Sequence, residues 1–194
     1  MYDESTRDRL VAGAVTCVRS KGLAGATSRA ITTTAGANLG AITYYFGSKD
    51  ELLAEALLGV VNAQLDPVLR ILSGDEGDAR SRMLAAVAAL LAGFKAVRSD
   101  AHVYLEALVN ASRFPALSKG LVELLAQLRR FLAEQIAEQQ AAGQLPLSID
   151  HVATAGLLIA VAHGLVLSAV VDPAGADPAA MAAQFANLLL AVTP

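Results

Sequence analysis

Apolar residues recur along this chain at helical spacing, and they almost nowhere alternate. Leu10, Val11, Ala14, Val15 and Val18 trace one face of a first helix, with Ser5 or Thr6 as its cap and Gly22 as its stop. Thr27 and Ser28 then carry hydroxyls where a helix must begin, since a side-chain oxygen there satisfies amides that the first turn leaves unpaired. Ile31 and Ala35 lie four apart on one face of this second helix, and Gly36 follows where a left-handed backbone costs no Cβ strain. Asn38 can cap a third short helix, in which Ile42 and Phe46 face inward while Leu39, Gly40, Thr43, Tyr44 and Tyr45 turn outward. Gly47 ends it. Ser48-Lys49-Asp50-Glu51 forms a capping box, and a long helix opens at Lys49. That helix runs over 49–72, with Pro67 as an interior kink or an early end.

Ser73-Gly74-Asp75-Glu76-Gly77-Asp78 is a solvent-facing loop, and beyond it the pattern predicts helices over 79–97, 100–113, 116–142, 149–171 and 177–192. No strand-like alternation or fixed repeat interrupts them. The expected fold is therefore all-α with about nine helices. A three-helix helix-turn-helix head occupies 1–48, and a helical-bundle body for ligand binding and dimerisation occupies 49–194.

The segment 152–171, VATAGLLIAVAHGLVLSAVV, is uncharged and long enough to span a bilayer. His163 near its middle, Asp150 and Asp172 at its ends and the lack of a flanking Lys/Arg cluster argue against insertion. A helix apolar on every side can also be buried on every side. Packing on its own body with one face and on a second copy with another achieves this. Gly156, Ala160 and Gly164, at four-residue spacing, allow close backbone approach, and Leu167 continues the segment. The last helix, with Met181, Phe185, Leu188, Leu189 and Val192, is expected beside it.

Composition narrows the class further. Of 194 residues, 55% are hydrophobic and 17% charged, which requires a large buried core and excludes a disordered chain. Cys17 is the only cysteine, so neither a disulfide framework nor a cysteine metal set is available, and a cytoplasmic location is the simplest reading. The amino terminus MYDESTRDRL is polar and acidic, unlike a secretory signal. The net charge of −3 divides unevenly. Residues 1–49 hold six cations (Arg7, Arg9, Arg19, Lys21, Arg29, Lys49) against three acids, or +3, and the remainder carries −6. A small basic head on an acidic body suits a nucleic-acid partner.

The stretch 27–52, TSRAITTTAGANLGAITYYFGSKDEL, resembles the DNA-binding region of the tetracycline-repressor (TetR) family of bacterial transcriptional regulators. Thr27, Arg29, Ile31, Ala35, Gly36, Gly40, Ile42, Tyr45, Phe46, Ser48, Lys49 and Leu52 carry the resemblance in register. The chain departs from the family pattern at Thr43, where Tyr is frequent, at Leu39, where Lys or Ser is common, and at Leu23, where an aromatic often packs. The resemblance implies a dimer that lays the 38–46 helix in the major groove of double-stranded DNA. Thr43 and Gly40 then approach base edges, Tyr44, Tyr45, Ser28 and Lys49 hold phosphates, and Arg29 does either. Thr27, Asn38 and Leu39 complete the DNA-binding set. The plainer alternative makes Tyr44 and Tyr45 packing residues and Lys49 a solvated charge. Resemblance also implies a homodimer through the last two helices, with Gly156, Ala160, Gly164, Leu167, Phe185 and Leu188 as interface candidates, and a repressor released from a palindromic operator by a small-molecule effector.

Catalysis finds no support in the motifs. His102, His151 and His163 lie on separate helices without metal-ligand spacing, so no metal or other cofactor is expected, and neither a phosphate-cradling loop nor a nucleophile elbow is present. A cavity between helices would be lined mainly by Ala, Leu and Val, suiting a small apolar or amphipathic effector. Candidates to line it are Phe94, His102, Tyr104, Asn110, Phe131, His163 and Ser168, with core packing as the bland reading of the phenylalanines and of His163. The competing class is a helical small-molecule-binding or interaction protein without DNA binding; an enzyme would need polar pairs assembled inside such a cavity.

Overall fold

Helices in this chain begin where a side chain takes over amides left unpaired by the first turn. In the computed structural model Ser5 Oγ accepts from the Asp8 amide, Thr27 Oγ1 from Ala30, Asn38 Oδ1 from Ala41 and Ser48 Oγ from Glu51, at 2.9–3.2 Å. These caps open α1 (Thr6–Gly25), α2 (Ser28–Ala35), α3 (Leu39–Phe46) and α4 (Lys49–Leu72). They are followed by α5 (Arg98–Asn110), a 3-10 turn at Ala111–Arg113, α6 (Pro115–Ala141) and α7 (His151–Val171). Pro115 starts α6, where a missing amide hydrogen costs nothing. The structure describes residues 5–74, 81, 82, 85, 86, 88, 89, 98–143, 145–172, 175, 177, 180, 181, 183, 184 and 187.

Among the described residues there is no strand, and seven α-helices have defined bounds rather than the nine expected. The expected helices at 79–97 and 177–192 fall largely outside the described residues; residues 81, 82, 85, 86, 88, 89, 180, 181, 183, 184 and 187 are helical. Gly22 does not end α1 as expected. It breaks the helix at φ 68°, ψ 174°, a region open essentially to glycine alone, and a last turn continues to Gly25. Pro67 lies inside α4, which continues to Leu72.

The chain forms two compact units. One comprises residues 1–63 and 97–122. Its core joins Leu10, Ala14 and Val18 of α1 to Ile31 of α2, Ile42 of α3, Leu52, Leu53 and Leu57 of α4, Val103 and Tyr104 of α5, and Leu117 of α6. A Cβ on Gly13 would stand 3.1 Å from the Ile31 carbonyl oxygen, so glycine is what allows α1 to lie this close to α2. Arg19 Nε donates to Asp100 Oδ1 at 2.8 Å, fastening α5 to α1.

The other unit comprises 64–96 and 123–194. Gln140 Nε2 donates to the carbonyls of Pro146 and Ile149, both at 2.8 Å, and so closes the turn between α6 and α7. Asp150 Oδ1 accepts the amides of Val152 and Ala153 at 2.9 Å and caps α7. Those bonds hold the Asp150 carboxyl below its ordinary value, Ala153 contributing most. The stabilisation is therefore present above the unfolded pKa and lost as pH falls through the lower folded one. Asp150→Ala will speed hydrogen exchange at Val152 and Ala153 several-fold at neutral pH, and will remove the acid sensitivity of those two amides.

Candidate nucleic-acid interface

The outward face of α3 follows from its pattern. Ala41 and Ile42 are buried, and Leu39, Gly40 and the run Thr43 to Tyr45 face solvent. Tyr44 is 82% exposed, Leu39 52% and Tyr45 41%, with Gly40 and Thr43 also exposed. The two tyrosine rings meet edge to face, centroids 4.8 Å apart. Two residues with left-handed backbones bracket the helix: Gly36 (φ 59°) turns the chain out of α2 and Gly47 (φ 78°) turns it out of α3.

Phe46 is half-buried rather than fully inward, and the Arg7 guanidinium covers its ring at 5.1 Å. The same group donates to Glu55 Oε2 at 2.6 Å, so Arg7 braces the end of α3 against α4. This positioning role was not legible in the sequence, since Arg7 and Glu55 are 48 residues apart and no local pattern joins them.

Charge in the head is thereby redistributed. Arg7 is committed to Glu55, Arg9 reaches the Ala35 carbonyl and the Thr6 hydroxyl, and Arg19 pairs with Asp100. Among the described residues the exposed Arg29 side chain makes no hydrogen bond or ion pair, its carbonyl alone accepting from the Thr32 hydroxyl, and the Lys49 side chain has only its neighbour Asp50 at 3.4 Å. Thr27 is exposed and Ser28 half-buried at the start of α2. Arg29 and Lys49 thus flank the α3 surface in sequence and are open to an anionic partner. Thr27 and Asn38 spend their side-chain oxygens on capping.

The described effector candidates are divided between the two units. His102, Tyr104 and Asn110 belong to the first unit, whereas Phe131, His163 and Ser168 belong to the second. His102 is exposed; Tyr104 is buried, and burial pushes its hydroxyl pKa up to about 12. Asn110 turns its amide back on its own helix, donating to the Glu106 carbonyl and carboxylate at 3.0 Å. Burial lowers the pKa of half-buried His163, favouring the neutral ring, and Ser168 is exposed. Phe131 alone of these lines a groove of about 260 Å³, with Leu69, Ser73, Leu124, Gln127 and Leu128 around it. Phe94 lies outside the described residues, as do Phe185 and Leu188. No group of three metal-ligating side chains occurs among the described residues.

One side of α7 is buried through Ala155, Ile159 and Val166. The other carries Val152, Gly156, Ala160, Gly164, Leu167 and Val171, a stripe at helical spacing that faces outward, Gly156 being half-buried. A Cβ on Gly156 or Gly164 would meet nothing within 4 Å. By length and composition α4 and α7 are each apolar enough to cross a bilayer.

Residues 10–56 match the family model for bacterial regulatory proteins of the tetR family. Residues 79–194 match the model for the C-terminal region of BetI-type transcriptional repressors. Among solved structures, a transcriptional regulator from Rhodococcus sp. Rha1 is 26% identical with a TM-score of 0.82, covering 97% of each chain. The multidrug binding protein EbrR, solved with imidazole, is 25% identical with a TM-score of 0.73, covering 96% of each chain. A transcriptional regulator from Pseudomonas aeruginosa PAO1 shares the fold at 22% identity and a TM-score of 0.81, covering 96% of this chain and 88% of its own. No curated protein matches.

Proposed function

This chain belongs to the TetR family of bacterial regulatory proteins, and from that premise we propose that it is a cytoplasmic repressor, gripping a palindromic operator as a homodimer and released by a small effector. The observation that carries the reading is the exposed face of α3, flanked by two cations, Arg29 and Lys49, that have few or no internal partners. In it α3 enters the major groove, with Gly40, Thr43 and Leu39 toward base edges. Ser28, Tyr44, Tyr45 and Lys49 hold phosphates, fixing register without reading sequence, and Arg29 serves either role. Thr27 and Asn38 present helix N-termini to the backbone. Functionally the division falls at 48/49, with DNA binding before it and ligand binding and dimerisation after it.

The second copy covers the α7 stripe. Small residues at 156, 160 and 164 let two helices approach closely, and burying Leu167 and Val152 removes apolar surface from water. A second copy suits the stripe better than lipid, because the same helix carries His163 and is bounded by Asp150 and Asp172. The groove beside Phe131 accepts a small apolar or amphipathic effector, in keeping with a neighbour that is a multidrug binding protein. Because α4 begins at the head and its last turn carries Leu69 into the groove, an effector that prefers one position of α4 shifts the heads and changes DNA affinity.

Selection of bound fragments from a genomic pool tests this reading. The retained site is expected to be two-fold symmetric, with half-sites centred about 34–36 Å apart or a multiple of that. Light scattering is expected to give a two-chain mass that Ala160→Arg reduces to one chain, with DNA binding weakened in step. Retention of no fragment even at low salt would leave a helical small-molecule-binding protein.

A further inference from the structure

The face that α3 offers is unusual for a DNA reader in what it lacks. Its sequence, LGAITYYF, contains no charged side chain and no amide. The nearest amide, Asn38, has its Oδ1 taken by the Ala41 amide at 2.9 Å, so it cannot make the two-point contact by which asparagine reads adenine. An arginine fork on guanine is equally unavailable from this helix.

At the leading end stands Leu39, more than half exposed although wholly apolar. Thr43 follows one turn later on the same side and contributes a methyl beside its hydroxyl. Between them lies no competing bulk, since Gly40 has no side chain and Ala41 and Ile42 are buried.

The edges of the four bases differ in the major groove, and thymine alone presents a methyl group there. A leucine pressed against guanine, adenine or cytosine strips water from donors and acceptors and gives no hydrogen bond in return. Against thymine it covers an apolar group instead. We infer that this helix reads thymine C5-methyl groups, Leu39 making the principal contact and Thr43 supporting it. Each half-site then carries thymine beneath Leu39, and what α3 itself reads rests on shape and apolar contact rather than on a guanine contact.

The inference builds on the DNA-binding reading above, and one experiment separates them. With the operator recovered by genomic selection, each thymine is replaced in turn by deoxyuridine, which keeps base pairing and deletes only the methyl. Affinity is measured by gel shift at constant salt. One position per half-site is expected to lose affinity by about 4-fold, the value of one buried methyl-sized group, and by about 16-fold when both half-sites are changed. Leu39→Ala, at an exposed position where alanine is a good helix former, is expected to fold by circular dichroism and to lose most of the wild-type discrimination between the thymine and deoxyuridine operators. Indifference of the wild-type protein to deoxyuridine at every position overturns the inference while leaving DNA binding intact, as does a Leu39→Ala protein that discriminates as strongly as the wild type. Failure to bind any duplex would instead overturn the DNA-binding reading, and the inference with it.

Discussion

Replacing Arg29 and Lys49 together by alanine will make the salt dependence of operator binding shallower by about 3 to 4 in the slope of log affinity against log salt. Each duplex phosphate neutralised by a cation contributes about 0.9 to that slope, and a dimer loses four such contacts. The effect is large because the head has few cations to spare. Arg7, Arg9 and Arg19 are spent on Glu55, the Ala35 carbonyl and Asp100, so the +3 of the amino-terminal region overstates the charge available at its surface. Affinity will fall steeply at low salt and much less at high salt. A double mutant with an unchanged slope would mean that these side chains do not meet phosphates. Arg7→Ala provides the contrast: it should disturb α3 through loss of the Phe46 and Glu55 contacts, with a smaller change in slope.

Ile31→Ala will lower the unfolding free energy by about 3 kcal/mol, read as a shift in the urea midpoint without a change in slope. Ile31 is fully buried, and its own backbone carbonyl sits within 3.1 Å of where a Cβ on Gly13 would lie, so α1 and α2 are already in close contact and cannot collapse into the space left behind. DNA binding will decline with the folded population. Thr33→Ala, exposed on the same helix, should change stability by less than about 0.5 kcal/mol. A small effect at Ile31 would show that the packing of α2 on α1 is looser than these distances indicate.

The head was legible in the sequence because its information is local. A cap, a four-residue apolar spacing and a left-handed glycine each act within one turn, so Thr27, Ile31 and Gly36 mark α2, and Asn38, Ile42 and Gly47 mark α3. Periodicity likewise places the outer face of α3, and Tyr44 and Leu39 stand exposed where spacing puts them. Gly22 was harder. Glycine stops and glycine breaks look alike in sequence, and here a further turn continues to Gly25.

The effector candidates were not legible in the same way. They are polar or aromatic residues on apolar faces, a pattern that says which residues are unusual but not which meet. His102 and Tyr104 are two apart on one helix, yet one is exposed and the other buried. Among the described candidates Phe131 alone reaches the groove, and nothing in the sequence marks its neighbours Leu69, Ser73 and Gln127 as residues that meet it there.

Local hydrogen bonding and helical period, both contained in short runs of residues, determined from sequence alone that this protein is all-helical, where its head lies and which side of its third helix faces outward. Tertiary structure alone decided which cations remain available for a partner, because Arg7 finds Glu55 and Arg19 finds Asp100 only after distant segments have been brought together. Pairings across 48 and 81 residues leave no trace in any local pattern, and it is they that divide a seemingly uniform basic head into a structural framework and a surface fit for DNA.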